Sequence, residues 1–171
     1  MNGSVYEREL RHILAGDEKY LRSYSKKLEN WGNELGIFLR KPFFVTRSAG
    51  SLGADLIAIR HDISLIIEVK SSERSTITFS EGSGQRQEQA ERLTKMCEKA
   101  GLFIMYAYRL KNVERGDPWR LFSFPANPQG TARILHMMLP KPSVTKDGYF
   151  GLRWNDGLPL SEFIRWVNRL S

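Results

Sequence analysis

Two carboxylates and one lysine stand out in the sequence because they interrupt apolar stretches. Asp55 opens the run 54–60, and Glu68 and Lys70 close the run 65–70. Two carboxylates can hold a hard divalent cation through oxygen, and an ammonium group can orient a water molecule and offset developing negative charge. These residue types in this order therefore indicate metal-assisted hydrolysis of a phosphodiester.

A β-hairpin is predicted to position these residues. The two runs flank residues 61–64, which have turn character. Because strand side chains alternate between faces, Glu68 and Lys70 point to one side of their strand, while Ile67 and Val69 point to the other. Because Asp55 begins one strand and Glu68 ends the other, both acids lie at the same end of the hairpin.

Each of these residues also has a plain structural explanation. Asp55 could be a turn residue at the start of a strand, and Glu68 with Lys70 could be a solvated pair that contributes little energy. Short motifs of this kind often match by chance. Against this explanation, Glu and Lys are rarely placed in an apolar run unless they are paired or bind a ligand.

The composition favours one globular domain with a polyanionic partner. The chain has 171 residues, of which 41% are hydrophobic and 26% are charged, so residues 1–171 are predicted to form a single domain with a sizeable core. The 26 Lys and Arg residues exceed the 19 acidic residues, which gives a net charge of +7. Such a balance favours a polyanion, and nucleic acid is the leading candidate.

Several classes of protein are disfavoured by what the sequence lacks. Cys97 is the only cysteine, which argues against an internal disulfide or a cysteine-based zinc site and favours a reducing compartment. His12, His61 and His136 lack metal-ligand spacing. The sequence contains no P-loop, so we expect no nucleotide cofactor. Charges interrupt residues 1–15, and no run reaches membrane-spanning length. We therefore expect a cytoplasmic, nucleoid-associated protein with no membrane partner.

Two helices are predicted before the first strand. The first covers about residues 5–15, and the second covers residues 17–35, where apolar residues recur at spacings of four and three. That stripe favours core packing over a ligand site. Lys19, Arg22 and Lys26 line another face, which is either a solvated surface or a contact with DNA phosphates.

The rest of the chain is predicted to contain both strands and helices. Residues 72–84 are polar and are predicted to be exposed and mobile around a short strand at 76–79, and residues 131–139 are ambiguous between helix and strand. The other predicted elements are strands 43–47, 102–110, 119–124 and 149–154 and helices 85–100 and about 161–170.

The charged residues belong to a series of short motifs along most of the chain. The motifs are Gly3-Ser4-Val5-Tyr6-Glu7-Arg8, Arg47-Ser48-Ala49-Gly50-Ser51, Asp55-Leu56-Ile57-Ala58, Ile67-Glu68-Val69-Lys70-Ser71, Arg86-Gln87-Glu88-Gln89-Ala90-Glu91, Asn112-Val113, Trp119-Arg120-Leu121-Phe122 and Gly157-Leu158-Pro159-Leu160. In this order and spacing they resemble the archaeal Holliday junction resolvases. The resemblance implies a restriction-endonuclease-like α/β fold, with a central mixed β-sheet flanked by helices.

The resemblance also implies an activity and a role for each matching residue of the hairpin. Asp55 and Glu68 would bind the metal together with the Val69 carbonyl, and Lys70 would assist the attacking water. The implied cofactor is Mg²⁺, for which Mn²⁺ can substitute. The implied activity is structure-selective endodeoxyribonuclease cleavage of four-way (Holliday) junction DNA by paired symmetric nicks, in recombination and repair.

Three further site residues follow from the resemblance, two of them with a structural alternative. Glu7 matches an acid on the first helix that completes the metal site, although its spacing from Ser4 also fits a capping box. Ser51 matches a serine near the scissile phosphate, but Gly50-Ser51 also fits a simple turn. Gln89 matches a helix glutamine behind the site.

Contacts with DNA are expected at Arg8, Arg47 and Arg86, and surface or cap roles are the alternative for Arg8 and Arg47.

One stretch departs from the family. In the family the first helix leads almost directly into the next strand, whereas here residues 17–42 insert an extra helical segment. This insert could extend the DNA path or obstruct it.

A homodimer is expected, because a four-way junction has approximate two-fold symmetry and must be cut on two strands. Trp119, Leu121, Phe122 and Phe124, with the helix 85–100, form the predicted contact surface. The alternative is that these side chains fill the core of one chain.

Two other functions stay open at this point. One is a different restriction-endonuclease-like nuclease that acts on flaps, forks or modified duplex. The other is a DNA-architectural dimer without catalysis, although such a protein would tend to lose one of Glu7, Asp55, Glu68 or Lys70.

Overall fold

The computed structural model describes residues 3–29, 31–48 and 53–170. Within these ranges a six-stranded mixed sheet has the order β1-β2-β3-β5-β6-β9. Strands β3 and β5 are parallel, and the other neighbours in this sheet are antiparallel. The strands are β1 Phe44–Arg47, β2 Leu56–Arg60, β3 Ile63–Ser72, β4 Thr76–Thr78, β5 Ile104–Leu110, β6 Trp119–Ser123, β7 Ser143–Val144, β8 Phe150–Arg153 and β9 Leu158–Pro159.

Helices cover both faces of the sheet, as predicted for a mixed sheet flanked by helices. They are α1 Gly3–Leu14, α2 Glu18–Ser25, α3 Gly32–Arg40, α4 Gln85–Lys99, α5 Gly130–Met138 and α6 Leu160–Arg169, with a short 3-10 helix at Trp154–Asp156. The ambiguous segment 131–139 is thus helical. No helix in the described ranges is long and apolar enough to cross a membrane.

Alternation along β3 separates two apolar cores. Leu65 and Ile67 enter a core with α1, α2, α3, α5 and α6. Ile66 contacts the second core, which contains Ala90 and Leu93 of α4 and Ile77 of β4. Because Glu68 and Lys70 share the parity of Ile66, their side chains are on the α4 side of the sheet.

The predicted hairpin is confirmed. β2 and β3 pair antiparallel, with Leu56 opposite Ile67 and Arg60 opposite Ile63. His61 and Asp62 form the turn. The strand β3 is longer than predicted and extends two residues beyond Lys70.

The segment predicted to be exposed around a short strand is tied into a small second sheet, whose strand order is β4-β8-β7. Ile77 of β4 pairs with Leu152 of β8, and both are buried in the core beside α4. This sheet therefore covers part of the same face as α4.

The prediction of one helix over residues 17–35 is wrong. The structure has α2 and α3, separated by residues 26–31, and α3 continues to Arg40. Both helices turn apolar side chains toward the same core, so the apolar spacing continues across the break. The insert packs mainly against α1 and α6.

The predicted dimer surface on β6 is also wrong. Trp119 and Leu121 are buried in the core on one side of the sheet, and Phe122 and Phe124 are buried in the core on the other. All four side chains are at most 1% exposed, so they pack within one chain, which was the structural alternative.

Candidate active site

The two predicted carboxylates meet at one end of the hairpin. Leu56 lies opposite Ile67, and the next step of this register sets Asp55 opposite Glu68. The backbone N–H of Asp55 donates to the Ile67 carbonyl at 3.0 Å. The Asp55 side-chain Oδ2 accepts the Val69 backbone N–H at 2.7 Å. Backbone pairing therefore fixes the two acids on the same face of the sheet.

Glu68 is a buried acid with two polar partners. Its Oε1 accepts a hydrogen bond from Lys70 Nζ at 3.0 Å and one from Gln89 Nε2 at 3.5 Å. Burial raises the pKa of Glu68 to about 7; the Lys70 ammonium opposes this rise, and the nearby Asp55 adds to it. The structure thus brings together Asp55, Glu68, Lys70 and Gln89, and their catalytic roles stay predictions.

The donor set fits a hard divalent cation. Among the described residues, Glu68 Oε2 is a buried atom with no hydrogen-bond partner, and such atoms are rare unless a water or an ion satisfies them. It lies in the same site as the Asp55 carboxylate, and carboxylate oxygens are the ligands that Mg²⁺ prefers. In the described ranges, no group of three or more His, Cys, Asp or Glu side chains is close enough to hold a metal.

Glu7 forms an ion pair with Arg47. Its Oε1 accepts a hydrogen bond from Arg47 Nε at 2.6 Å, which joins α1 to the end of β1. Ser4 lies inside α1 rather than before it, so the capping-box explanation of Glu7 is wrong. A metal-binding role for Glu7 stays a prediction. Ser51 lies outside the described residues.

A basic cleft opens beside Lys70. It has a volume of about 230 Å³ and is lined by Lys70, Ser71, Ser72, Arg74, Thr76, Ile77, Glu81 and Arg86. Glu81 contacts Arg74 at 3.4 Å and Arg86 at 3.1 Å. A DNA contact is expected from the sequence at Arg86, whereas no role is expected at Arg74. The sequence carries no local signal for Arg74, because its position in the cleft depends on Glu81 and Arg86, which follow β4 along the chain.

The basic residues of the insert lie on the other side of the sheet from this cleft. Lys19, Arg22 and Lys26 are exposed, and Arg22 pairs with Glu18 on the same helix at 2.5 Å. Because α2 packs into the core opposite α4, these residues are on the other side of the sheet from Glu68. Arg8 is also exposed, on α1. Contact of these four residues with DNA stays a prediction.

A mixed sheet flanked by helices, with an acid facing Glu-x-Lys at the end of a hairpin, defines a nuclease of the restriction-endonuclease-like class. Residues 29–136 match the archaeal Holliday junction resolvase (Hjc) family. Since this match covers more than half of the chain, the protein belongs to that family. It is a junction-resolving endodeoxyribonuclease, from a nuclease family that generally depends on a divalent metal.

One solved structure supports the fold. Archaeoglobus fulgidus Hjc, a Holliday junction resolvase from an archaeal hyperthermophile, matches with a TM-score of 0.55 and 19% identity over 95% of this chain and 95% of that chain. No curated protein matches the sequence. The family match begins within the insert and does not reach α1, so it gives no support to the roles of Glu7 and Arg8.

Proposed function

We propose that this chain resolves four-way DNA junctions by Mg²⁺-dependent hydrolysis, making paired symmetric nicks as a homodimer. The observation that supports this most directly is the placement of Asp55 opposite Glu68, with Lys70 bound to Glu68 at 3.0 Å. In this proposal residues 1–171 act as one nuclease domain. Because junctions form in chromosomal DNA, the proposed location is the nucleoid.

In the proposed site, Asp55, Glu68 and the Val69 carbonyl hold Mg²⁺, and Mn²⁺ can take its place. A bound cation of this kind stabilises the charge that develops on the phosphate during hydrolysis. Asp55 presents the oxygen that does not accept the Val69 N–H, and Glu68 presents Oε2, which has no partner among the described residues.

In this proposal Lys70 orients the attacking water and Gln89 orients the Glu68 carboxylate. The Lys70 ammonium is held by Glu68 and lines the basic cleft. It can therefore orient an attacking water and offset negative charge on the phosphate. Gln89 donates to the same Glu68 oxygen from α4, which fixes the carboxylate from the opposite side. Arg86 and Arg74 are placed to bind the neighbouring phosphates.

For the homodimer we propose a different surface from the buried strand β6. Phe44, Ile57, Ile59 and Ile66 share one face of β1, β2 and β3 through the pairs Phe44–Ile59 and Ile57–Ile66. We call this set the β1/β2 apolar face. Phe44 is 73% exposed and Ile59 is 45% exposed, and an apolar groove lined by Ile57, Ile66 and Met96 continues it toward α4. A second copy is the proposed occupant, because the junction requires two sites.

A cleavage panel tests the function. A synthetic immobile junction, a linear duplex, a flap and a fork are each incubated with the protein and Mg²⁺, and the cut positions are mapped. We expect symmetric paired nicks in the junction and little cutting of the duplex. Stronger cutting of the flap or fork would favour a different nuclease of the same class.

The variant Glu68→Ala separates catalysis from binding. It should abolish cleavage and leave junction binding, because the carboxylate is a proposed metal ligand and not a phosphate contact. Glu73→Ala, which removes an exposed acid of the same charge, is the control. Loss of both cleavage and binding in Glu68→Ala would instead indicate a structural residue.

A further inference from the structure

The carboxylate pair continues into a third strand. Glu68 on β3 lies at the same register position as Tyr106 on β5. Paired residues on neighbouring strands point to the same face of a sheet. Asp55, Glu68 and Tyr106 therefore form a row across β2, β3 and β5, on the side that faces α4.

Two atoms in this row have unmet hydrogen-bonding capacity. Within the described part of the chain, the Tyr106 hydroxyl and Glu68 Oε2 are both buried without a hydrogen-bond partner. Leaving such a group unsatisfied costs about 1–3 kcal/mol. The ordinary pKa of a tyrosine phenol is about 10, and burial together with the charges of Glu68 and Asp55 raises it further. The phenol therefore stays protonated and is a hydrogen-bond donor.

Packing alone does not require a hydroxyl at this position. The Tyr106 ring stacks on Phe124 with centroids 4.5 Å apart and lies 5.7 Å from Phe79. Its partner on the next strand is Phe122, so the ring is surrounded by phenylalanines. A phenylalanine would fill the same volume without a buried hydroxyl. The hydroxyl at position 106 thus needs a reason beyond the core.

We propose that Tyr106 is a positioning residue of the active site. Its hydroxyl donates to a water molecule that also binds Glu68 Oε2, and this link holds the Glu68 carboxylate in the orientation needed for the metal. Groups that orient metal ligands in this way typically change metal affinity or activity by about 10–100-fold when removed. The inference rests on the proposed metal site at Asp55 and Glu68.

The test is Tyr106→Phe, which removes one oxygen atom. Mn²⁺ is titrated into wild type and variant by calorimetry, and unfolding by urea is measured without metal. We expect Mn²⁺ affinity to fall about tenfold, while the metal-free unfolding free energy is unchanged or higher. Junction binding in EDTA should stay at the wild-type level, and the single-turnover cleavage rate should fall. The control is Tyr20→Phe on α2, which removes a hydroxyl on the other side of the sheet from Glu68.

The outcomes separate this inference from the proposed function. Wild-type Mn²⁺ affinity in Tyr106→Phe would overturn the role of Tyr106 and leave the metal site intact. Absence of Mn²⁺ binding in the wild-type protein would overturn the metal site and this inference with it. A crystal structure of the metal-free wild type supplies a second measurement, since a water within hydrogen-bond distance of both atoms is expected and its absence would overturn the link.

Discussion

The Asp55 carboxylate accepts the backbone N–H of Val69, the residue between Glu68 and Lys70, at 2.7 Å. This bond joins the start of β2 to the end of β3 that carries the active-site residues. One carboxylate thus closes the end of the hairpin and also faces the proposed metal position. Substitution can separate these two roles.

Asp55→Asn and Asp55→Ala should differ in stability but not in cleavage. The asparagine oxygen can still accept the Val69 N–H, so we expect near wild-type stability. Alanine loses that acceptor, and its unfolding free energy should be lower than that of Asp55→Asn by about 1 kcal/mol. Both variants lose a charged ligand, and cleavage should fall by about 100-fold or more. Urea unfolding and single-turnover cleavage measure the two effects, and full activity in Asp55→Asn would contradict the assignment.

The raised pKa of Glu68 predicts a pH-dependent stability. Because the folded-state pKa is about 7 and the ordinary value is 4.5, the folded chain retains a proton that the unfolded chain has lost. The stabilisation from this proton is present below pH 4.5 and is lost as pH rises to about 7. The shift corresponds to about 3 kcal/mol. Metal binding requires the deprotonated acid, so cleavage should decline as the pH falls below 7, in the range where the stability rises.

Glu68→Gln tests whether the buried charge of Glu68 lowers the free energy of unfolding. Glutamine keeps the shape of the side chain but carries no buried charge. In EDTA the variant should equal the wild type in unfolding free energy near pH 4.5 and exceed it by up to about 3 kcal/mol above pH 7. Mg²⁺ should stabilise only the wild type. A stability difference that stays constant across this pH range would show that Glu68 titrates normally.

Local patterns in the sequence were sufficient to predict the hairpin. Alternation along β3 placed Glu68 and Lys70 on one face, and the short turn at His61 and Asp62 set the register with β2. Both features are determined by residues that are close together in the sequence. The pairing of Glu68 with Tyr106 depends on the parallel pairing of β3 with β5. These two strands are separated along the chain by α4, so no local sequence pattern indicates that they pair.

Two predictions were wrong, the single helix over residues 17–35 and the dimer surface on β6, because both depend on contacts between distant parts of the chain. The apolar stripe over residues 17–35 crosses the break between α2 and α3 because both helices contact one core. The apolar residues of β6 were assigned to a partner surface because their composition does not show whether the same chain or a second copy covers them. Which face is covered is decided by α4, α6 and the small second sheet.

The basic cleft beside Lys70 should bind DNA phosphates. Arg74→Ala with Arg86→Ala should lower the slope of log affinity against log salt by about 0.9 for each lost contact. Glu81 contacts both arginines and competes with phosphate, so Glu81→Gln should tighten junction binding. Glu73→Gln removes an equal charge from an exposed site and is the control. Equal tightening in both glutamine variants would mean that only net charge matters.

The insert provides a comparison for that cleft. If Lys19, Arg22 and Lys26 contact DNA, changing all three to Ala should also lower the salt slope by about one unit for each contact. They lie across the sheet from Glu68, so the cleavage rate at saturating protein should not change. An unchanged salt slope would leave the insert with a packing role only.

Asp117 connects the insert to the sheet and should be important for stability. Its Oδ2 accepts the Tyr24 hydroxyl at 2.6 Å and the Ser161 N–H at 2.8 Å, and its Oδ1 accepts the Trp119 N–H at 3.0 Å. Asp117→Ala leaves these buried donors unpaired and should lower the unfolding free energy by about 3 kcal/mol, whereas Tyr24→Phe should cost about 1 kcal/mol. Urea unfolding measures both, and Ser23→Ala, at an exposed position of α2, is the control.

The β1/β2 apolar face predicts how the dimer can be separated. Association through an apolar surface is driven by the area removed from water, so a charge placed there should oppose it. Ile59 is 45% exposed, and Ile59→Asp should therefore fold as a monomer. We expect the dimer to weaken by about 30-fold or more, measured by light scattering at micromolar concentration. The paired nicks should become single, uncoordinated nicks.

Two variants make this test specific. Met137 on α5 is 76% exposed, and Met137→Asp should leave the dimer intact because it lies outside the β1/β2 apolar face. Phe122→Asp, in the buried strand β6, should unfold the chain, since Phe122 is 1% exposed and a buried unpaired charge is strongly destabilising. A folded monomer from Phe122→Asp, or an intact dimer from Ile59→Asp, would place the interface elsewhere. A wild-type protein that stays monomeric even with junction DNA would contradict the homodimer itself.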